Sequence, residues 1–138
     1  MLDTNIVLDL FVFADKAAWP VRSSLEEGTM RWLATAAMRD ELERVLAYAQ
    51  IIPRLAFYGL AAADVLATFD HHSQRVDAAA KAPVTCKDPD DQKFIDLAMQ
   101  IGAGTLLSAD RAVLRLARHG RALGLEIATV ERWTRRAA

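Results

Sequence analysis

The stretch Thr105-Leu106-Leu107-Ser108-Ala109-Asp110-Arg111 decides the fold. It opens with a short apolar run of the kind found in a strand covered on both faces. An acid follows at once, and Arg111–Arg118 then takes up helical spacing. The strand Thr105–Ala109 therefore ends on Asp110 and turns directly into a helix. The N-terminus repeats this pattern: Met1-Leu2-Asp3 reads as the end of a strand that runs into a helix reaching about Ala14. Only Met1 and Leu2 precede Asp3, so either the first strand is short or the true start lies upstream.

Between these two units the same alternation continues. A helix is expected over roughly Ala17–Glu27, with Pro20 in its first turn and Gly28 as its stop. Met30–Thr35 has strand character, and Thr35 is placed to cap a helix over about Ala36–Ala49. Ile51–Val76 reads as two helices broken near Tyr58-Gly59, and Pro83–Cys86 as a short strand. Asp88-Pro89 opens a helix, cap then first-turn proline, that runs to about Ile101 and ends at Gly102. Leu125–Val130 is the last strand. Strands alternating with helices predict an α/β fold, a parallel sheet covered on both faces. No repeat, low-complexity stretch or Pro/Gly/Ser linker interrupts it, so residues 1–138 are read as a single domain.

Composition narrows the setting. Hydrophobic residues make up 53% of the chain, yet no apolar run approaches the roughly 20 residues of a spanning helix, so no membrane segment is expected. The N-terminus has no basic region before its first acid, which argues against a signal peptide. The single Cys86 excludes an intramolecular disulfide and fits a reducing cytoplasm. A net charge of −1 lacks the whole-chain basic footprint of many nucleic-acid binders. The charge is uneven, however: from residue 111 onward Arg111, Arg115, Arg118, Arg121, Arg132, Arg135 and Arg136 face only Glu126 and Glu131. Two readings of that segment stay open, contact with phosphates or a solvated surface ending in a disordered basic tail.

Open α/β sheets bind ligands beyond the carboxyl ends of their strands. Asp3 and Asp110 both occupy such ends and point to one rim. Two helical acids complete a candidate cluster. Asp91 shares a stripe with Phe94, Ile95 and Ala98 and sits in the first turn, where the helix dipole favours a negative charge. Asp96 falls instead on the outward face beside Gln92 and Lys93. Glu41 lies beside the apolar stripe of its own helix, with Met38 at i−3 and Val45 at i+4. Inward acids at this density need a cationic partner, and no lysine or arginine stands at the matching strand ends. Oxygen-only ligands suit Mg²⁺ or Mn²⁺, ions that activate water and offset charge during phosphodiester cleavage. Each acid also has a structural role open to it: Asp3 as a turn residue, Asp110 as the cap of the helix from Arg111, Asp91 against the helix dipole, and Glu41 paired with Arg44.

Taken together, these segments resemble the PIN domain family. Leu2-Asp3-Thr4-Asn5 is similar to its opening Asp-Thr-Asn motif, and Thr35 with Glu41, Leu42 and Val45-Leu46 to its acid-bearing helix. Asp88-Pro89-Asp90-Asp91 leading to Phe94, Leu97 and Ala98 resembles the third-acid segment. Gly102-Ala103 with Leu106-Leu107-Ser108-Ala109-Asp110 resembles the strand that carries the fourth acid. The subgroup most resembled is the VapC-like toxins of toxin–antitoxin pairs. The resemblance implies a Rossmann-like sheet of about five parallel strands, order 3-2-1-4-5, flanked by helices. It implies a Mg²⁺/Mn²⁺-dependent endoribonuclease acting on RNA, with Asp3, Glu41, Asp91 and Asp110 as catalytic, metal-binding acids and Asn5 and Ser108 as supporting polar groups. It further implies a small antitoxin partner and leaves room for a homodimer. An RNA-processing nuclease without a toxin role, or a silent scaffold on the same fold, remain the alternatives.

Other residues are expected to be structural. Asp88 and Asp90 are read as capping or exposed, Asp40, His71 and His72 as surface, and Cys86 as a buried small hydrophobe. Asp9 lies one turn beyond Asn5 and is read as structural. Trp19, Trp32, Trp133 and the phenylalanines are assigned to core or interface. A phosphohydrolase built on Asp-x-Asp is excluded because Asn5 stands where the second acid is required. A receiver-type signalling domain is excluded because the chain lacks an acidic pair at the first strand and a lysine at a late strand end.

Overall fold

In the computed structural model, residues 1–77, 85, 92–101, 104–122 and 124–137 are described. They fall into two compact units, Met1–Ile6 with Ala78–Ala138, and Val7–Asp77. The elements in chain order are α1 (Thr4–Phe11), α2 (Trp19–Glu26), β1 (Trp32–Ala34), α3 (Ala36–Leu46), α4 (Ile52–Phe57), α5 (Ala62–His72), β2 (Ser73–Arg75), α6 (Gln92–Ile101), β3 (Thr105–Leu107), α7 (Arg111–Leu114), α8 (Ala117–Ala122), β4 (Glu126–Ala128) and α9 (Val130–Ala137).

In the unit of Met1–Ile6 and Ala78–Ala138, β3 and β4 pair in parallel, with Leu106 opposite Ile127. Leu2 adds a parallel bridge to Leu107 on the other side of β3. The Asp3 N–H donates to the Leu107 carbonyl at 3.0 Å, and the Leu107 N–H donates to the Met1 carbonyl at 3.0 Å. The first strand is thus a single bridge, in keeping with the two residues that precede Asp3. Leu106 and Val113 are fully buried, and α6 turns Phe94, Ile95, Leu97 and Ala98 inward at the spacing expected of one helical face.

Helix α8 packs closely on β4. A Cβ at Gly120 would sit 3.2 Å from the Leu125 carbonyl oxygen and 3.3 Å from Ile127 Cδ1, so a larger residue would push these neighbours apart by a few tenths of an ångström. The single helix expected over Arg111–Arg118 is two. Leu116 N–H bonds back three residues to Val113, which tightens the chain between α7 and α8. The last strand is also shorter than Leu125–Val130, and the basic end of the chain is not a tail: Thr129 Oγ1 accepts from the Arg132 N–H at 3.2 Å and caps α9.

In the unit Val7–Asp77, β1 and β2 pair in parallel, with Trp32 opposite Ser73 and Ala34 opposite Arg75. Strand β2 corrects the expectation of helix through Val76. Its sequence, Ser-Gln-Arg, has no apolar alternation and its side chains are largely exposed, so backbone pairing rather than side-chain burial makes it a strand. Ser73 Oγ donates to the Phe69 carbonyl at 2.7 Å where α5 ends. Thr35 caps α3 as expected, accepting from Met38 N–H at 3.4 Å, and Gly28 ends α2 at φ +75°. Buried Trp32 meets Phe69 edge-on at 4.7 Å. Trp19 is half exposed and Phe57 almost wholly so, so neither takes the core part of the core-or-interface role expected of them.

Histidine 72 also departs from its expected surface position. Its ring is half-buried and stacks on Phe11 at 5.6 Å, with His71 edge-on at 4.8 Å. Burial foremost, and then the neighbouring His71, hold its pKa below the ordinary 6.5. A histidine lowered in the folded state contributes stability that is complete above the unfolded pKa and is lost as pH falls through it. Between about pH 7 and pH 5 the urea midpoint of the wild type is expected to fall more steeply than that of His72→Phe, which keeps a stacked ring that does not titrate. Parallel slopes in the two proteins would show that His72 carries no such linkage. In the same assay Leu106→Ala is expected to lose about 2–5 kcal/mol, and Thr35→Ala about 1 kcal/mol.

Candidate active site

The Asp3 carboxylate is only 4% exposed, and Ser108 is fully buried. A buried carboxylate is costly unless hydrogen bonds replace its water. Here the Thr4 N–H donates to Oδ1 at 2.7 Å, and the Ser108 hydroxyl donates to Oδ2 at 2.7 Å. The same Ser108 oxygen accepts the Asp110 N–H at 3.0 Å. Asp110 in turn accepts the Ala112 N–H on Oδ1 at 2.8 Å and so caps α7. Its backbone is extended there, φ −79° and ψ 124°, as a cap requires. Asp3, Ser108 and Asp110 therefore form one connected string across the ends of two adjacent strands.

Local sequence explains each placement. Asp3 is the residue between the Leu2 bridge and the first residue of α1, so its side chain meets the free N–H of Thr4. Ser108 follows β3 directly, and its own N–H is held by the Ala128 carbonyl at 3.1 Å, which fixes the hydroxyl beside Asp3. The capping role weighed for Asp110 is realised, but it engages only one carboxylate oxygen.

The remaining candidates are distributed differently. Glu41 is half-buried on α3, between buried Met38 and Leu42, and belongs to the unit Val7–Asp77. Asp91 lies outside the described residues, as do Cys86, Asp88 and Asp90. Asn5 is exposed in the first turn of α1. Asp40 is exposed as expected, and Asp96 accepts from Gln92 Nε2 at 2.7 Å along α6. Asp9 is half-buried, and burial first, then Asp15, raises its pKa above the usual carboxylate range. Among the described residues, no three His, Cys, Asp or Glu side chains are grouped to hold a metal ion. Asp3 and Asp110, joined through Ser108 to the Asp110 backbone N–H, carry only carboxylate oxygens, a donor chemistry that fits Mg²⁺ or Mn²⁺ better than zinc.

The sequence profile of the PIN domain matches residues 1–112, which takes in α1 through the start of α7 and both strand-end acids. Among curated proteins and among solved structures, none matches the chain. No helix among the described residues is long and apolar enough to cross a membrane.

Replacing Ser108 tests the string directly. Ser108→Ala removes the donor to Asp3 and the acceptor for the Asp110 amide, leaving both in a buried setting. The expected cost is about 1–3 kcal/mol in equilibrium unfolding, well above that of an exposed serine such as Ser23. A change no larger than that of Ser23→Ala would show that the buried bonds carry no weight.

Proposed function

The chain belongs to the PIN domain family, and on that premise we propose that it is a Mg²⁺- or Mn²⁺-dependent endoribonuclease, the toxin of a type II toxin–antitoxin pair. The observation that carries this reading is the buried hydrogen-bond string Asp3–Ser108–Asp110 at the carboxyl ends of parallel strands. Nothing in the core needs two acids there. A turn residue and a helix cap would serve equally well at the surface, without the desolvation that Asp3 carries at 4% exposure. Asp3 and Asp110, with Glu41 from α3 and Asp91 from the segment before α6, are the acids we assign to the metal. We assign Asn5 to contact with the substrate phosphate. The sheet order 3-2-1-4-5 belongs to the same reading, supported by the pairings of Leu2 with β3, β3 with β4, and β1 with β2.

The residues act by position. Ser108 holds the Asp3 carboxylate in one orientation through the 2.7 Å bond. Asp110 is held through its backbone N–H to Ser108, and its capping bond fixes the carboxylate rotamer. When bound, a divalent ion lowers the pKa of a water and offsets charge on the scissile phosphate. The buried floor beneath the acids, Leu106, Leu107 and Ile127, keeps the site from relaxing.

Purified protein should cleave RNA only when Mn²⁺ or Mg²⁺ is added, and Asp3→Asn, Glu41→Gln and Asp91→Asn should each lower cleavage on the order of a hundredfold or more with circular dichroism spectra unchanged. Cleavage that survives both chelation and Asp3→Asn would end the nuclease assignment to these acids. The toxin role has a separate test: expression of the chain alone should arrest growth, and co-expression of a small protein encoded beside it should restore growth.

A further inference from the structure

Three of the six arginines in Val7–Asp77 are ion-paired, Arg22 with Glu26 at 3.1 Å, Arg39 with Asp70 at 2.8 Å, and Arg75 with Asp70 at 3.7 Å, while Arg31 bonds Gln74 and Arg54 lies over the Phe13 ring. From residue 111 onward seven arginines face two glutamates. Among the described residues, Arg111, Arg115, Arg118, Arg121, Arg132 and Arg135 form no salt bridge at all. Uncompensated guanidiniums concentrated on one unit are the footprint of an anionic partner that lies outside the chain.

Two of them share a groove. Ala117 and Arg121, one turn apart on α8, form one wall; Arg132 on α9 forms another; and Gly124 through Ala128 form the floor along β4. Its volume is about 290 Å³, near the lower limit of about 300 Å³ for small-molecule sites, which suits a phosphodiester unit better than a large ligand. Glu126 also lines it, so the occupant must be an anion that two guanidiniums hold against one neighbouring carboxylate. The groove is fixed in place. The Gly120 approach locks α8 to β4, and Thr129 caps α9 directly after the strand. Its floor ends at Ala128, whose carbonyl accepts the Ser108 N–H at 3.1 Å. One end of the groove floor, Ala128, therefore lies on the strand beside β3, whose end carries Ser108 and Asp110.

We propose that this groove is a phosphate clamp: Arg121 and Arg132 hold a backbone phosphate of a single-stranded RNA, displaced from the scissile bond and independent of base sequence. The guanidinium fork matches phosphate oxygens bidentately, and α8 and α9 each bring one such fork to the groove lining, Arg121 and Arg132. The proposal rests on the nuclease reading for its substrate, but the clamp binds without any chemistry and can be measured apart from it. Arg121 and Arg132 are positioning residues here. They act on where the strand lies and not on the reacting atoms.

The test uses a labelled single-stranded RNA of about 16 nucleotides in EDTA, with affinity followed by fluorescence anisotropy between about 50 and 200 mM salt. Arg121→Gln/Arg132→Gln should weaken binding about tenfold and reduce the slope of log affinity against log salt by about 2. Arg121→Lys/Arg132→Lys should keep the slope while losing part of the affinity, because lysine retains the charge without the fork. Arg22→Gln serves as the control for an arginine already paired, and should leave the slope as it is. In cleavage with Mn²⁺ the glutamine pair should raise KM with little change in kcat. An unchanged salt slope in the glutamine pair overturns the clamp. So does loss of binding to a poly-glutamate peptide with RNA binding intact, which would make the groove a site for an acidic peptide. If the wild type binds RNA with the expected slope but never cleaves it, the nuclease reading fails and the clamp stands.

Discussion

The structure around the candidate site depends on one hydrogen bond, from the Ser108 hydroxyl to the Asp3 carboxylate. Both groups are buried, and in such a setting an unsatisfied carboxylate is worth several kcal/mol of destabilisation. The bond offsets that cost and fixes three things together. It ties the bridge at Leu2 to the end of β3, it orients the acid that begins α1, and it leaves the serine oxygen free to accept only from Asp110. A hydroxyl has one proton to give and lone pairs left to accept, so Ser108 can donate to Asp3 and accept the Asp110 backbone N–H at once. The Asp110 carboxylate is set separately, by its capping bond to Ala112 N–H.

The surrounding elements are consistent with this order of importance. Helix α7 is only four residues long, too short for stability of its own, and stands because Asp110 caps it and Val113 is buried. Helix α8 is pressed to β4 at Gly120, where a Cβ would meet the Leu125 carbonyl at 3.2 Å. Strand β4 then has to lie beside β3, and its Ala128 carbonyl returns a bond to Ser108. The chain from Asp110 to Ala128 leaves the serine and comes back to it, so the geometry of the acids and that of the basic groove are fixed by the same strand pair.

Much of this was legible in the sequence, because the signals were local. An apolar run closed by an acid and followed by helical spacing located β3, Asp110 and α7; Thr35, Gly28 and Pro20 marked their helix ends by chemistry that acts over a few residues. What escaped was governed by partners distant in the chain. Ser73-Gln74-Arg75 becomes a strand because β1 lies beside it, and nothing in three polar residues announces a pairing 41 residues away, as Trp32 with Ser73. His72 is drawn from the surface by Phe11, which no helical spacing reveals. The cap at Thr129, by contrast, was a local signal: a threonine with Glu131 two residues on, overlooked because the arginines that follow read as a tail. Of the site, the two strand-end acids followed from position alone. The role of Ser108 did not, since a serine between a strand and an acid has no spacing signature, only a geometry.

A net charge of −1 concealed the most informative asymmetry in the chain. Charge acts over about a Debye length, roughly 8–10 Å at physiological salt, so the sum over the whole protein is the wrong quantity for a surface. In the unit Val7–Asp77 some of the cations are held in internal pairs, as with Arg39 and Arg75 sharing Asp70. Exposed pairs of this kind contribute little stability, but they remove cations from any external role. Among the described residues Arg115, Arg118, Arg121, Arg132 and Arg135 have no such partners, and all but Arg115 are carried on α8 and α9, the helices before and after β4. A polyanion approaching this unit meets cations near β4 and carboxylates at the end of β3, attraction displaced from the place where negative charge is concentrated. For a phosphodiester substrate that separation is a physical requirement. The acids alone repel the strand, and binding has to be supplied from beside them.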